Sequence, residues 1–324
     1  MNIEIYPSTE FHDRRKKGIG GSDIGKIMNV SAFGSALDVY CDKLGLTDPL
    51  EDSFPMRMGR NMEPIIRQEY LTQNDADMRF ADSGFQMIVT KDDYYYYHPD
   101  GLLHDVVKDE SYAVWEAKYS QRYNVWGDTP EDVPLEYQYQ VQWGMFVCDL
   151  PYCDLSLIIG REYRQFRIMR DDALIKTIKT AVNSFWNDNV LTSTPPPPSD
   201  LKSDEELLKE LYADLGEQVE ADVELMELAE DYITYKENLK ISEEKLQGLK
   251  NKIEAKMKNG NHCTSDFFKI SWKQGKDKKK VDLKQSIQDM IDDGVLNESS
   301  VKEYTESNTI ISPGNRPLLV KRVK

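Results

Sequence analysis

Two acids and a lysine stand where they could do chemistry together. Asp100 lies in Pro99-Asp100-Gly101, and fifteen residues later comes Glu116-Ala117-Lys118. Side chains alternate faces along a strand, so Glu116 and Lys118 project to the same side, with Val114 and Tyr112. Asp100 ends the preceding tyrosine-rich segment. If that segment pairs with the strand holding Glu116, a carboxylate from each meets beside an ammonium. Two close carboxylates repel unless a cation sits between them. An oxygen-seeking divalent ion such as Mg²⁺ binds one or two carboxylates and keeps waters for a substrate phosphate. It polarises a phosphoryl oxygen and acidifies a bound water, and Lys118 can orient that water or offset developing charge. That chemistry is phosphodiester hydrolysis. The same trio also arises in plain salt-bridged strands.

The elements around it read as mixed α and β. Gly18-Ile-Gly-Gly-Ser-Asp-Ile24 is a glycine-rich turn, with Ser22 as the expected N-cap of a helix to about Met28. Ser35–Leu44 and Met58–Gln73 read as helices, the latter with Pro64 placed in its first turn. Gly84–Thr90 and Tyr94–His98 read as strands around an Asp92-Asp93 turn, and Tyr112–Tyr119 as a third strand. Pro134–Cys148 reads as a helix, Tyr152–Gly160 with Tyr163–Met169 as a hairpin, and Asp171–Asn189 as an amphipathic helix. This order predicts an α/β fold, a central mixed sheet flanked by helices.

Pro195-Pro-Pro-Pro198 marks an extended spacer. The expected domains are 1–194 for the chemistry, 195–203 as linker, 204–260 as a helical hairpin or coiled-coil-like segment, and 261–324 as a small α+β region. In the third part, Asp204–Leu215 reads as a short helix and Asp222–Lys258 as a long one. Leu225, Tyr232, Leu239, Leu246 and Ile253 recur every seven residues, and Leu228, Tyr235 and Leu249 add a second row three residues on, which is heptad patterning. Asp266–Lys273 reads as a strand. A basic loop, a helix near Asp282–Asp293 and a hairpin around Pro313-Gly314 follow.

The chain has 324 residues, long enough for two domains and a full core without disulfide staples. It has no apolar run of membrane-spanning length and no signal-like start. Four cysteines and four histidines show neither a disulfide scaffold nor ligand spacing; they lack the clustered C-terminal cysteines of iron–sulfur nucleases. A cytoplasmic setting is expected. With 57 acids against 41 bases, the net charge of −16 argues at face value against a nucleic-acid binder. The charge is uneven, however. Asp200–Asp231 holds 13 acids and two lysines, whereas Tyr232–Lys324 is net +6.

Further residues sharpen the reading. Glu63 sits in Gly59-Arg-Asn-Met-Glu63-Pro64 on a helix, and Gln140-Val-Gln142 on another. Taken in order, Gly18-Ile-Gly-Gly-Ser-Asp23, Met58-Gly59-x3-Glu63-Pro64, Pro99-Asp100-Gly101, Glu116-Ala117-Lys118 and Gln140-Val-Gln142 resemble the YqaJ-like viral recombinases, grouped with phage lambda exonuclease in the PD-(D/E)XK nuclease superfamily. The resemblance covers about Arg14 to Trp186. It implies a restriction-endonuclease-like core and a processive 5′→3′ exonuclease that degrades one strand of linear double-stranded DNA, by a metal-activated water. The cofactor it implies is Mg²⁺, with Mn²⁺ able to substitute. Asp100 and Glu116 with the Ala117 carbonyl become metal ligands, Glu63 a helix carboxylate reaching the metal, Lys118 the catalytic lysine, and Gln140 a glutamine near the scissile bond. Ser22 would hold the DNA 5′ phosphate. The family has a basic residue upstream of this serine; Arg14, Arg15, Lys16 and Lys17 all stand there, and Arg15 is chosen. The resemblance further implies a phage or prophage protein in a bacterial host, working beside a single-strand annealing recombinase, with homo-oligomerisation possible.

Competing readings stay open on the residues themselves. Glu63 also suits a helix N-terminus. Gln138 and Gln142 could face solvent, and Tyr94–Tyr97 reads as half-buried strand packing. Lys273–Lys280 is either a solvated loop or a DNA backbone contact. A structure- or site-specific endonuclease on the same fold, or a non-catalytic interaction module built on the heptad helix, would also suit parts of the chain.

Overall fold

The computed structural model describes residues 2–47, 52–81, 84–92, 94–213, 216, 219–273 and 282–308. The chain divides into two compact units, Met1–Leu215 and Gly216–Lys324. The first runs β1 (Asn2–Pro7), α1 (Phe11–Arg15), α2 (Gly21–Ile27), α3 (Ala36–Leu44), α4 (Phe54–Asn74), β2 (Met78–Arg79), β3 (Phe85–Lys91), β4 (Tyr95–Tyr97), β5 (Gly101–Asp105), β6 (Glu110–Ser120), α5 (Leu135–Cys148), β7 (Tyr152–Ile159), β8 (Glu162–Met169), α6 (Asp172–Ser184) and α7 (Lys202–Leu211). A π-helical stretch, Phe185–Val190, continues α6.

The central sheet has five strands in the order β2-β5-β6-β7-β8. β6 and β7 run parallel and the other neighbours antiparallel, so the fold is the mixed α/β architecture expected. The alternation along β6 explains its two covers. Val114 joins the larger core with Val141, Trp143 and Ile178 from α5 and α6. Ala113 and Trp115 point the other way, onto Ile66 and Tyr70 of α4. A smaller antiparallel sheet, β1-β3-β4, sits in the same unit.

Here the structure corrects one expected pairing. The tyrosine-rich β4 pairs with β3 and not with the strand bearing Glu116. The partner of β6 is β5, with Gly101 opposite Trp115. Gly101 opens this strand. A Cβ there would run into the Met78 side chain and crowd the Trp115 ring at 3.2 Å. Asp100 therefore lies at the junction between the two sheets. Two helix starts are also corrected. Gly20 is the N-cap of α2, and Ser22 lies inside it. α4 begins earlier than expected, capped by Ser53 with Pro55 in its first turn. Pro64 thus falls mid-helix, on an exposed position where water can take over the hydrogen bond its missing N–H would have made.

The division at Leu215–Gly216 comes later in the chain than the proline run at 195–203. The reason is α7, which packs back on α3. Asp204 is buried there, accepting from Ser35 Oγ at 2.8 Å and from the Ser199 N–H at 2.6 Å.

The second unit holds α8 (Val223–Met257), a hairpin of β9 (His262–Thr264) and β10 (Lys269–Ser271), α9 (Leu283–Asp292) and α10 (Glu298–Ser307). Of the Asp266–Lys273 segment only Lys269–Ser271 is strand, and α10 was not anticipated. The lysine-rich loop after Lys273 and the expected hairpin around Pro313-Gly314 lie outside the described residues. Among the described residues no helix is long and apolar enough to cross a membrane.

Candidate active site

The junction between the two sheets opens into a cleft of about 480 Å³. Every side chain named from the sequence as a site residue lines it: Asp100, Glu116, Lys118, Glu63, Gln140, Ser22 and Arg15, with Ala117 between them. They arrive from α1, α2, α4, the β4–β5 junction, β6 and α5.

Glu116 is the hub, and it is 2 % exposed. Its Oε1 accepts from Lys118 Nζ and from Gln140 Nε2, each at 2.6 Å. Its Oε2 accepts from the Tyr97 hydroxyl at 2.5 Å. Asp100 is held across the strand pair: its Oδ2 accepts from the Ala117 N–H at 2.8 Å. Glu63 reaches in from α4, tied to Arg67 of the next turn at 2.6 Å, and the same guanidinium donates to the Asp100 carbonyl at 3.3 Å. Three carboxylates thus share one cleft.

The electrostatics follow from that crowding. Burial, then Glu116 and Glu63, push the Asp100 carboxyl well above the usual carboxylate range. Burial also raises Glu63, with Arg67 opposing and Glu116 adding. Burial works against the Lys118 ammonium, yet Glu116 and Asp100 outweigh it and hold its pKa above the ordinary lysine value. Its two carboxylate neighbours therefore favour the charged form of Lys118. His98, packed on Phe11 at 4.8 Å between centroids, is lowered to about 4 by burial, against Glu116 and with Arg15 assisting, and stays neutral.

Crowding of carboxylates is what a divalent cation relieves. The donors are oxygens only, which suits Mg²⁺, an ion needing few carboxylates and keeping its waters. Among the described residues no three His, Cys, Asp or Glu side chains are already gathered as a metal site. Glu116 instead spends its oxygens on Lys118, Gln140 and Tyr97.

At the lip of the cleft, Arg15 donates to the exposed Ser22 Oγ at 3.4 Å. Behind them lies a group that sequence reading missed. Asp23 is buried, accepts from the Gly20 N–H at 2.9 Å and from Lys43 Nζ at 2.7 Å, and stands 3.5 Å from Arg15. The Lys43 side chain is fully buried and also donates to the Arg15 carbonyl. Burial opposes the Asp23 charge, but Lys43 and Arg15 hold its pKa below the ordinary value. Asp23 stood inside the quoted motif. Lys43 had no signal, being twenty residues away on a different helix.

Of the three glutamines on α5, only Gln140 lines the cleft. Gln138 secures the helix start through the Val133 and Glu131 carbonyls. Gln142 is buried and not solvent-facing, bridging the Met169 carbonyl and the Asp171 N–H. The tyrosine run divides similarly, since Tyr97 reaches the site through Glu116 while Tyr95 packs on Trp143. Close approach matters too: a Cβ on Gly21 would sit 2.6 Å from the Tyr97 ring.

Known proteins resemble this chain over the same region. The chain is 27% identical over 267 residues to the uncharacterized protein YqaJ of Bacillus subtilis (strain 168), covering 80% of this chain and 81% of that one. Among solved structures it is similar to an alkaline exonuclease from Laribacter hongkongensis, at TM-score 0.44 and 21% identity, over 64% of this chain and 98% of that one. It is also similar to a phage related exonuclease from Haemophilus somnus 129PT, at TM-score 0.42 and 12% identity, over 54% of this chain and 96% of that one. Residues 10–151 match the YqaJ-like viral recombinase domain. That span takes in Arg15, Ser22, Glu63, Asp100, Glu116, Lys118 and Gln140, so the part of the first unit that holds the cleft is similar to the YqaJ-like viral recombinase domain.

Proposed function

We propose that the first unit is a Mg²⁺-dependent deoxyribonuclease that degrades linear double-stranded DNA 5′→3′ from its ends. The observation that supports this most directly is the convergence of Asp100, Glu116, Glu63, Lys118 and Gln140 on one cleft. Asp100, Glu116 and the Ala117 carbonyl would hold the ion, with Glu63 nearby, and Mn²⁺ could replace Mg²⁺. When bound, the ion supplies Lewis acidity and lowers the pKa of the attacking water.

The protein's own groups do the rest. Lys118, kept protonated by Glu116 and Asp100, offsets the charge that develops on the phosphoryl oxygens. Gln140 and Tyr97 hold Glu116 in place by donating to opposite oxygens. Arg15 and Ser22 at the lip bind a terminal 5′ phosphate, which would set both the end requirement and the polarity. The setting we infer is phage-type homologous recombination, where a single-strand annealing protein takes over the strand left behind.

The decisive assay is digestion of linear duplex labelled at the 5′ or the 3′ end, with Mg²⁺ or with EDTA. The 5′ label should be released first, only with Mg²⁺, and Glu116→Gln or Lys118→Ala should lower the rate at least about a hundredfold. Activity persisting in EDTA would refute the metal site. Cleavage of covalently closed circles would replace the exonuclease reading with an endonuclease on the same fold.

A further inference from the structure

We propose that α8 is a self-association helix that pairs antiparallel with α8 of a second copy of this chain. The helix is 35 residues, about 52 Å long at 1.5 Å per residue. None of its residues is buried. Leu225, Tyr232, Leu239, Leu246 and Ile253, with Leu228, Tyr235 and Leu249, form two adjacent rows and are between 39 % and 75 % exposed. Single exposed apolar residues are ordinary, but two rows of them at heptad spacing are the signature of helix pairing.

Charge identifies the occupant and its direction. Asp222–Asp231 carries five acids and no base. Lys245–Lys258 carries five lysines and a single acid, Glu254. Two copies laid parallel would put acid on acid and lysine on lysine. Laid antiparallel, each acidic end lies on a lysine end.

The flanking positions give the same answer at residue level. Consider the antiparallel register with Leu239 opposite Ser242 of the second copy. Tyr232 then meets Leu249, Leu246 meets Tyr235, and Ile253 meets Leu228. Beside the seam, Asp231 faces Lys252 and Lys236 faces Glu243, both attractive and both repeated by the twofold symmetry. A parallel pair would still join Asp231 to Lys236 but would set Lys245 against Lys250. Ser242, the break in the second row, falls at the centre of the antiparallel register. Its hydroxyl already donates to the Asn238 carbonyl at 2.9 Å, so it can be covered without losing a partner.

Sedimentation of the full chain tests this. The wild type should be a dimer at micromolar concentration, and Leu239→Glu with Leu246→Glu should make it monomeric. Asp231→Lys turns two symmetry-related contacts repulsive and should weaken the dimer roughly tenfold. Adding Lys252→Asp should restore it. Rescue by Lys236→Asp instead would overturn the antiparallel direction. A monomeric wild type, or a dimer indifferent to the leucine changes, would overturn the pairing itself. The charge variants leave the apolar rows intact, so they decide the question even if the glutamate variant loses its fold.

Discussion

Lys43→Met isolates the buried pair behind Arg15. The lysine side chain is fully buried, and its ammonium lies 2.7 Å from Asp23 Oδ2. Removing it leaves a buried carboxylate that keeps only the Gly20 N–H and an Arg15 contact at 3.5 Å. Breaking one side of a buried pair costs about 3–5 kcal/mol. Because Arg15 still attends the carboxylate, the expected loss is near the lower figure, about 3 kcal/mol. For a unit of this size that lowers the thermal midpoint by roughly 6–12 °C. Urea unfolding followed by tryptophan fluorescence reads it, since Trp115 and Trp143 are fully buried. The double variant Asp23→Asn, Lys43→Met removes both charges and should recover most of the loss. The pH dependence has a definite sign. The folded-state pKa of Asp23 lies below its unfolded value, so its contribution is present at neutral pH and is lost as pH falls below about 4. Lys43 is raised, so its contribution is lost only as pH rises through that raised value. On the proposed chemistry, Lys43→Met should also reduce the preference for 5′-phosphorylated over 5′-hydroxyl ends. A single variant within about 1 kcal/mol of wild type, or a double variant as unstable as the single, would refute the account of this pair.

Two further outcomes follow from the cleft. Asp100→Asn removes one of three crowded carboxylates whose folded-state pKa is raised, a group that weakens the fold once pH exceeds its unfolded value. The metal-free variant should therefore melt above wild type at pH 7–8, lose nuclease activity, and gain less from added Mg²⁺ in a thermal-shift titration. Gln140→Ala and Gln142→Ala should separate cleanly: the first lowers turnover with stability nearly kept, whereas the second costs about 1–3 kcal/mol in urea unfolding because it strands the Met169 carbonyl and the Asp171 N–H.

What was legible in the sequence was the chemistry and not the wiring. Glu116 and Lys118 could be grouped because strand alternation fixes their faces locally, whereas Asp100 was joined to them by a supposed strand pairing and by the motif order. Their true neighbours could not be read. Pairing β6 with β5 and not β4 depends on Gly101 fitting against Met78 and Trp115, a contact between strands that no periodicity encodes. Lys43 was invisible for a similar reason, since an isolated lysine on an amphipathic helix is expected in water, and only the cavity around Asp23 draws it inward. Tyr97 was readable as strand packing, yet its hydroxyl lies on Glu116 because Gly21 and Gly144 leave room for its ring. The heptads of α8 were plain from spacing alone, because helical periodicity is a local property.

The net charge of −16 takes a different meaning once it is placed. The acid-rich stretch after the prolines is split by the fold, since α7 belongs to the first unit. That unit carries 37 acids and 22 bases, net −15, and the second only −1. A polyanion would meet an acidic body. Charges farther than about 8 Å through water are screened at physiological salt, however, so what a phosphate in the cleft meets is the lining. There Arg15, Arg60 and Lys118 stand against Glu63, Asp100 and Glu116, three formal charges of each sign, while His98 adds none at neutral pH. Such a cleft has little attraction of its own for a phosphodiester. A divalent cation held by the carboxylates would turn its field positive, and a phosphate would in turn favour that cation. On the proposed chemistry, metal and DNA binding are then mutually dependent.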